Sequence, residues 1–386
     1  MSLPPLVEPA AELTVDEVRR YSRHLIVPDV AMDGQKRLKN AKVLVVGAGG
    51  LGSPALLYLA AAGVGTLGIV DFDEVDESNL QRQVIHGQSD VGRPKADSAA
   101  DSIREINPLV KINLHKVHLD SSNVLDIFTD YDLILDGTDN FATRYLVNDA
   151  AVLLDKPYVW GSIYRFDGQV SVFWDSHGPN YRDLYPVPPP PGMVPSCAEG
   201  GVLGVLCASI GSVMVNEAIK LITGIGDTLL GRLLVFDALE MSWHEVAIRK
   251  DPATEPITEL IDYEAFCGVV SEEAAEAAAG STITAAELKD MIDAGKDFAL
   301  IDVREPAEYE IVSIPGSVLI PKGDILSGAA LSRLPQDKPL VLHCKSGVRS
   351  AEALAAVKQA GFKDAVHVQG GVIAWVNQVD PSLPSY

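Results

Sequence analysis

The sequence predicts an α/β protein made of two units in series, a larger one on a mostly parallel sheet and then a smaller one. Three observations carry this. Short apolar runs ending in Gly or Asp alternate with helix-like stretches, the pattern of parallel strands joined by crossover helices. A glycine cluster, Gly47-Ala-Gly-Gly-Leu-Gly52, closes the first run, and Asp71 closes the next. Residues 271–280, Ser-Glu-Glu-Ala-Ala-Glu-Ala-Ala-Ala-Gly, have no bulky apolar side chain, so they anchor no core and read as a linker. The expected division is a first domain over 1–265, a linker over 266–282 and a second domain over 283–386.

Taken in order, Thr14-Val-Asp-Glu17 has capping-box spacing and predicts the start of a helix carrying Arg19, Arg20 and Arg23. Lys42–Val46, Thr66–Val70 and residues 132–136 are strands of the first unit. Residues 43–70 hold no charge and are long enough to cross a bilayer. Their seven glycines and Pro54 instead predict strand, turn, helix and strand. Tyr185-Pro-Val-Pro-Pro-Pro-Pro-Gly-Met-Val-Pro195 excludes helix and central strand, so an exposed, extended crossing segment is expected. The apolar run 200–216 leads into Glu217 and Lys220 and reads as a buried helix; no membrane span is expected. In the second unit Ala299–Asp302, residues 318–320, Leu340–His343 and residues 366–368 are the strands.

Bulk properties narrow the function. A length of 386 residues suffices for two or three cores. The net charge of −22 excludes a sequence-blind nucleic-acid binder, which phosphates would repel. Four scattered cysteines, Cys197, Cys207, Cys267 and Cys344, make no disulfide framework. With no basic-then-apolar leader, a reducing, cytoplasmic setting is expected.

The glycine cluster is suited to a nucleotide. Glycines at 47, 49, 50 and 52 permit a tight turn and let backbone N–H groups approach phosphate. Asp71, 19 residues past Gly52, is placed to accept from ribose hydroxyls. Alone, this fingerprint favours a dinucleotide and redox chemistry, with tight packing as the structural alternative. The residues that follow change the balance. Ser78-Asn79-Leu-Gln-Arg82-Gln83, Lys95 and Asp136-Gly-Thr-Asp139-Asn140 supply cations, amides and a metal-binding carboxylate. A triphosphate needs these; a nicotinamide ring does not.

Together with Asp71-Phe-Asp73, Gly92-Arg-Pro-Lys95, Tyr21-Ser-Arg23-His and Asp33-Gly-Gln, these motifs resemble the MoeB/ThiF adenylyltransferases, relatives of ubiquitin-activating enzymes, over residues 12–250. The resemblance implies a Rossmann-like adenylation domain using ATP and Mg²⁺. The C-terminal carboxylate of a small protein partner would attack the α-phosphate and release pyrophosphate. By resemblance Asp71 holds ribose, while Asn79 and Arg82 hold phosphates. Gln83 and Asn140 complete the cradle, Lys95 contacts the triphosphate through the transition state, and Asp139 holds Mg²⁺. Arg23 would reach the ATP of a neighbouring subunit, implying a homodimer; the residues alone fit a solvated helix face for Arg23 and surface ion pairs for Arg82 and Lys95.

Cys197, in Pro195-Ser-Cys197-Ala-Glu, resembles the family's crossover-loop cysteine, which forms a thioester or disulfide with the partner. A spectator thiol is the alternative. Cys207 reads as core, and Cys267 has no identified partner. One departure stands out. Many family members carry two Cys-x-x-Cys pairs around a structural zinc, and here those places read Asn180-Tyr-Arg-Asp183 and Ala253-Thr-Glu-Pro256. They supply no thiolate or imidazole, so no zinc site is expected.

The second reactive site is His343-Cys344-Lys345-Ser346-Gly347-Val348-Arg349-Ser350, a low-pKa cysteine motif before a helix. Four residues separate Cys344 from Arg349, one fewer than in cysteine phosphatases, which fits a persulfide better than a phosphate. With Asp302-Val-Arg304-Glu-Pro, Glu308-Tyr, Ile314-Pro-Gly316 and Gly370-Gly371-Val-Ile-Ala-Trp375, the segment resembles a rhodanese domain over residues 283–376. Cys344 would carry the sulfur, with Lys345 and Arg349 favouring its charge. Asp302 and Arg304 would organise the loop, or simply form a buried ion pair.

Both resemblances together match MoeB–rhodanese fusions of the MoeZ type. They imply a bifunctional enzyme that adenylates the C-terminal Gly-Gly of a ubiquitin-like sulfur carrier and then delivers sulfur to give a thiocarboxylate. The sulfur would serve molybdopterin, thiamin, cysteine or tRNA thiolation, with thiosulfate or a cysteine desulfurase as donor. Two rivals are an NAD-dependent oxidoreductase fused to a rhodanese, and a non-catalytic scaffold, which would need at least one broken site.

Overall fold

The computed structural model describes residues 3–189, 201–267 and 282–386. Cys197, most of the proline-rich segment and most of the expected linker lie outside the described residues. The described chain forms two compact units, one ending at Cys267 and the other covering the residues from Thr282 onward.

The first unit is built on an eight-stranded sheet in the order β3-β2-β1-β4-β5-β6-β7-β8. Its strands are β1 (Lys42–Val46), β2 (Thr66–Val70), β3 (Lys111–His115), β4 (Leu133–Asp136), β5 (Tyr158–Tyr164), β6 (Asp167–Phe173), β7 (Arg232–Asp237) and β8 (Ser242–Ala247). The pairs from β3 through β5 are parallel, and those from β5 to β8 antiparallel. Val43, Leu44, Val45 and Val46 are all buried, as expected where helices cover both faces of a β-branched run. The chain order reverses at β1, which lies between β2 and β4. Their carboxyl ends therefore open a crevice at a topological switch point, where such sheets bind ligands.

Residues 43–70 are the predicted strand, turn, helix (Gly52–Ala62) and strand. The helix Gly204–Thr223 is apolar and long enough to cross a membrane, but 56% of its most apolar stretch is buried inside the unit. Leu206, Ile210, Met214, Ala218 and Leu221 form its inward stripe at helical spacing, packed on Gly52–Ala62 and β5. Cys207 is buried there.

Thr14 starts the helix Val15–Arg20 with a complete capping box to Glu17, worth about 1 kcal/mol. The helix does not run on to Arg23. Tyr21 turns inward, its hydroxyl accepting from Asn107 Nδ2 at 2.8 Å, and Arg23 sits on a separate turn, Ser22–Leu25.

The unit continues beyond the expected boundary at 265. Tyr263–Phe266 is helical, Tyr263 donates to Asp149 Oδ2 at 2.8 Å, and Cys267 is buried in the cluster around Tyr145. Burial pushes the Cys267 thiol up to about 11, a packed and protonated group.

The second unit holds five parallel strands in the order β11-β10-β12-β13-β9. These are β9 (Thr282–Ile283), β10 (Ala299–Asp302), β11 (Val318–Leu319), β12 (Leu340–His343) and β13 (Ala365–Val368). Thr282 pairs with His367, so it belongs to this sheet and not to the linker. The central β12 is buried along its length and leads directly into Cys344.

Candidate functional site

The carboxyl ends of β1, β2 and β4 line one cleft of about 1020 Å³, its open mouth included. After β1 the chain turns at Gly47, with φ of +89°. A Cβ on Gly52 would lie 1.8 Å from the Gly47 carbonyl oxygen, so no other residue fits where the next helix begins. Asp71 follows β2 and is nearly buried. Its Oδ2 accepts from Ala48 N at 2.7 Å and its Oδ1 from Asp73 N at 2.9 Å. Burial pushes its carboxyl up, and those amide bonds with nearby Lys95 work against the rise.

Lys95 opens the helix Lys95–Ile106, and its ammonium lies 2.9 Å from Asp73 Oδ2. Arg82 and Gln83 reach the cleft from the segment before it. Gln83 is buried against Gly49, with Oε1 unpartnered among the described residues. At the end of β4, Asp136 is fully buried and its Oδ1 accepts from the Thr138 amide and hydroxyl. Asp139 projects at the rim, exposed and with no hydrogen bond or ion pair among the described residues. Asn140 caps the helix Phe141–Leu153, its Oδ1 accepting from Thr143 N at 2.8 Å.

Of the residues predicted from sequence, Gly47, Gly49, Gly50, Asp71, Arg82, Gln83, Lys95, Asp139 and Asn140 meet in this cleft. Asn79 does not line it; its Oδ1 accepts from Asp76 N at 3.3 Å and closes the turn that carries Arg82. Arg23 is exposed and outside the cleft. Sequence reasoning missed Phe72, His118 and Arg144. Phe72 and His118 meet edge to face at 5.0 Å, and Arg144 is buried over the Trp160 ring at 5.8 Å. The signal for Arg144 was its place one helical turn beyond Asn140.

Asp139 is a hard oxygen donor beside a glycine cradle, a donor set that fits Mg²⁺ carried by phosphates. The zinc positions do not fit a metal. Asp183 Oδ1 accepts from Asp251 N at 2.9 Å, while Asp175 Oδ1 takes Asn180 Nδ2 and the Lys250 ammonium, each at 2.7 Å. Direct polar bonds join the two segments there. Among the described residues no three His, Cys, Asp or Glu gather as metal ligands.

In the second unit Cys344 is fully buried at the end of β12. Gly347 N donates to its Sγ at 3.1 Å, and Gly347 is the N-cap of the helix Val348–Gln359. Amide donors at a helix start favour a thiolate or persulfide anion. The loop's outer face is fixed by the helix Gly371–Gln378, with Val372 N on the Cys344 carbonyl at 2.8 Å and Ile373 N on that of Lys345 at 3.1 Å. Gly371 permits this contact: its φ is +54°, and a Cβ would lie 2.3 Å from the Cys344 oxygen.

Arg349, expected beside the thiol, forks onto both oxygens of Glu308 at 2.7 and 2.8 Å. Tyr386 donates to the same carboxylate at 2.8 Å and accepts from Arg304 at 2.6 Å. The Lys345 ammonium lies 4.6 Å from the Tyr386 ring centre. Ser346 and Val348 are exposed. Asp302 and Arg304 form a fully buried pair, and Arg304 also donates to the Val312 carbonyl at 2.7 Å. His343, buried 3.7 Å from Asp302, has its imidazole pushed down to about 4 by burial and stays neutral.

A glycine cradle with cations and an oxygen donor, and separately a buried thiol under helix amides, define a two-centre transferase. Residues 21–256 match the ThiF family and residues 284–378 the rhodanese-like domain. The chain belongs to the ThiF family and carries a rhodanese-like domain behind it. It is 71% identical to a probable adenylyltransferase/sulfurtransferase MoeZ of Mycobacterium tuberculosis, covering 100% of this chain and 99% of that protein. It is 43% identical to the adenylyltransferase and sulfurtransferase MOCS3 of Drosophila ananassae, over 97% of this chain and 87% of that one. Among solved structures, E. coli MccB with ATP matches with a TM-score of 0.53 at 21% identity, covering 61% of this chain and 73% of that one, a likeness of fold. The chain is a bifunctional enzyme, an adenylyltransferase and a sulfurtransferase.

Proposed function

We propose that the first unit uses ATP with Mg²⁺ to adenylate the C-terminal Gly carboxylate of a ubiquitin-like sulfur carrier, and that Cys344 then supplies the sulfur for a thiocarboxylate. The observation that carries this is the convergence of Asp71, Arg82, Gln83, Lys95 and Asp139 on one glycine-lined cleft. A carboxylate oxygen of the tail attacks the α-phosphorus and pyrophosphate leaves. Arg82, Lys95 and the backbone N–H groups stabilise charge on the phosphates. Asp139 would hold Mg²⁺, which neutralises the triphosphate. The terminal sulfur of the Cys344 persulfide attacks the acyl-adenylate and expels AMP, leaving an acyl disulfide. The Cys197 thiolate attacks the Cys344 sulfur, releasing thiocarboxylate and forming a Cys197–Cys344 disulfide; a reductant of the thiol class reopens it.

In the same reading the adenylation domain runs through Cys267, the rhodanese domain begins at Thr282, and the linker lies between them. Arg23 completes the cleft of a second copy in a homodimer, and the setting is cytoplasmic. Thiosulfate or a cysteine desulfurase charges Cys344, and the sulfur serves molybdopterin, thiamin, cysteine or tRNA thiolation. The M. tuberculosis and Drosophila relatives bear both activities in their names. MccB, of like fold, was solved with AMPCPP and MccA.

The test incubates enzyme, ATP, Mg²⁺, thiosulfate and candidate carriers, then weighs each carrier by intact mass spectrometry. One sulfur in place of one oxygen is expected. Cys344→Ala should lose that product yet keep pyrophosphate exchange; loss of both would refute the division of labour. NAD binding in place of ATP would refute the adenylation reading itself.

A further inference from the structure

We infer that His86 is a positioning residue for adenylation, aiming the Gly49 N–H of the glycine turn into the nucleotide cleft. The inference deepens the reading above and rests on ATP occupying that cleft. His86 is buried, and its two ring nitrogens have two different partners. Nε2 lies 3.1 Å from the Ala48 carbonyl oxygen, and Nδ1 lies 2.8 Å from Ser98 Oγ.

The Ala48 oxygen can only accept, so Nε2 carries the proton. With Nε2 protonated, Nδ1 accepts from the Ser98 hydroxyl, a donor for which the Asp90 carboxylate competes. Burial lowers the proton affinity of the ring, with nearby Lys95 adding to the effect, so a single neutral tautomer fits both bonds.

The consequence lies on the far side of the peptide. The Ala48 carbonyl and Gly49 N–H belong to one trans peptide unit and point in opposite directions. With the carbonyl drawn inward to His86, the Gly49 N–H faces outward, and Gly49 lines the cleft. No acceptor for that N–H occurs among the described residues. Asp71 fixes the preceding peptide through Ala48 N at 2.7 Å. The two peptides flanking the Ala48 α-carbon are thus held separately, one by the Asp71 carboxylate and one by the His86 imidazole, the shorter of two contacts to that carbonyl; the Ser53 hydroxyl donates to it at 3.4 Å. Ser98 lies on the helix that Lys95 opens, so the same ring ties the glycine turn to the helix bearing the cleft lysine.

The test compares His86→Gln, His86→Leu and Ser98→Ala in ATP–pyrophosphate exchange with carrier present, with persulfide transfer at Cys344 and melting temperature as controls. A glutamine amide can replace the Nε2 donor, whereas leucine cannot. A misaimed donor to a charged phosphate should lower kcat/KM for ATP by about 10- to 100-fold in His86→Leu. His86→Gln should recover most of that, and Ser98→Ala should fall between them. Persulfide transfer should be unchanged in all three.

If His86→Leu exchanges like wild type, or if a folded His86→Gln is as defective as His86→Leu, the positioning role is wrong. If His86→Leu does not fold, wild-type behaviour of Ser98→Ala together with a defective His86→Gln overturns it equally. Failure of the wild-type enzyme to exchange at all would instead refute the ATP reading on which this rests.

Discussion

Replacing Glu308 should destabilise the second unit by more than any surface change. Its carboxylate receives both arms of Arg349, the Tyr386 hydroxyl and its own helix cap from Glu305 N at 3.0 Å. Glu308 and Arg349 are 7% and 6% exposed, so neither charge is left to water. Glu308→Leu removes the carboxylate that both arms of the buried Arg349 guanidinium grip, and breaking a buried ion pair from one side costs about 3–5 kcal/mol. For a unit of this size each kcal/mol moves the melting temperature by about 4–8 °C, so a fall of at least ~12 °C is expected. Differential scanning calorimetry of the full chain measures it, with limited proteolysis to assign the transition. The double variant Glu308→Leu/Arg349→Met removes both charges and should regain most of the loss, because a whole pair can be exchanged for apolar packing at little net cost. A single variant as stable as wild type, or a double variant no better than the single, would refute the reasoning.

Three further outcomes are expected. Gly52→Ala must displace the Gly47 carbonyl that a Cβ would meet at 1.8 Å, so pyrophosphate exchange should fall at least ~100-fold by the loss of close geometry while persulfide transfer at Cys344 persists. Glu308 is depressed: burial alone would raise its carboxyl, but the bonds from Arg349, the Glu305 amide and the Tyr386 hydroxyl together outweigh that. Its stabilisation is therefore complete above the ordinary glutamate value of about 4.3 and vanishes as pH falls through the lower folded value; denaturant titrations should show wild type and Glu308→Gln converging in acid. Chelators should leave the melting temperature of the first unit unchanged, because Asp183 and Asp251 are joined directly; stoichiometric zinc by elemental analysis would contradict this.

Strands β1, β2 and β4 were legible because each is a short, largely apolar run stopped by Gly or Asp, whereas β3, Lys-Ile-Asn-Leu-His, mixes polar and apolar residues and was not. The strands β5 to β8 were not. Gly161 and Gly168 interrupt the pattern, and β8 is exposed from Trp243 to Ala247, so no buried face marks it. The two-residue β9 is too short to leave a period. Site motifs were legible as residue types but not always as roles. Asn79 closes a turn, and its amide is occupied by Asp76. The partners of Lys95 and Arg349 lie 22 and 41 positions away in the chain, and no local spacing announces such pairs. Cys267 looked partnerless because its surroundings come from Tyr145 and Tyr263, which only the fold brings together.

The Lys95–Asp73 pair gives the cleft a lysine whose conformational freedom has been lost in advance. A free lysine side chain forfeits about 2 kcal/mol of rotamer entropy when a ligand immobilises it. Here the aliphatic stem is already buried and the tip tethered, with two further ammonium protons in reserve for an arriving oxyanion. Binding can draw on that charge without first ordering a flexible arm.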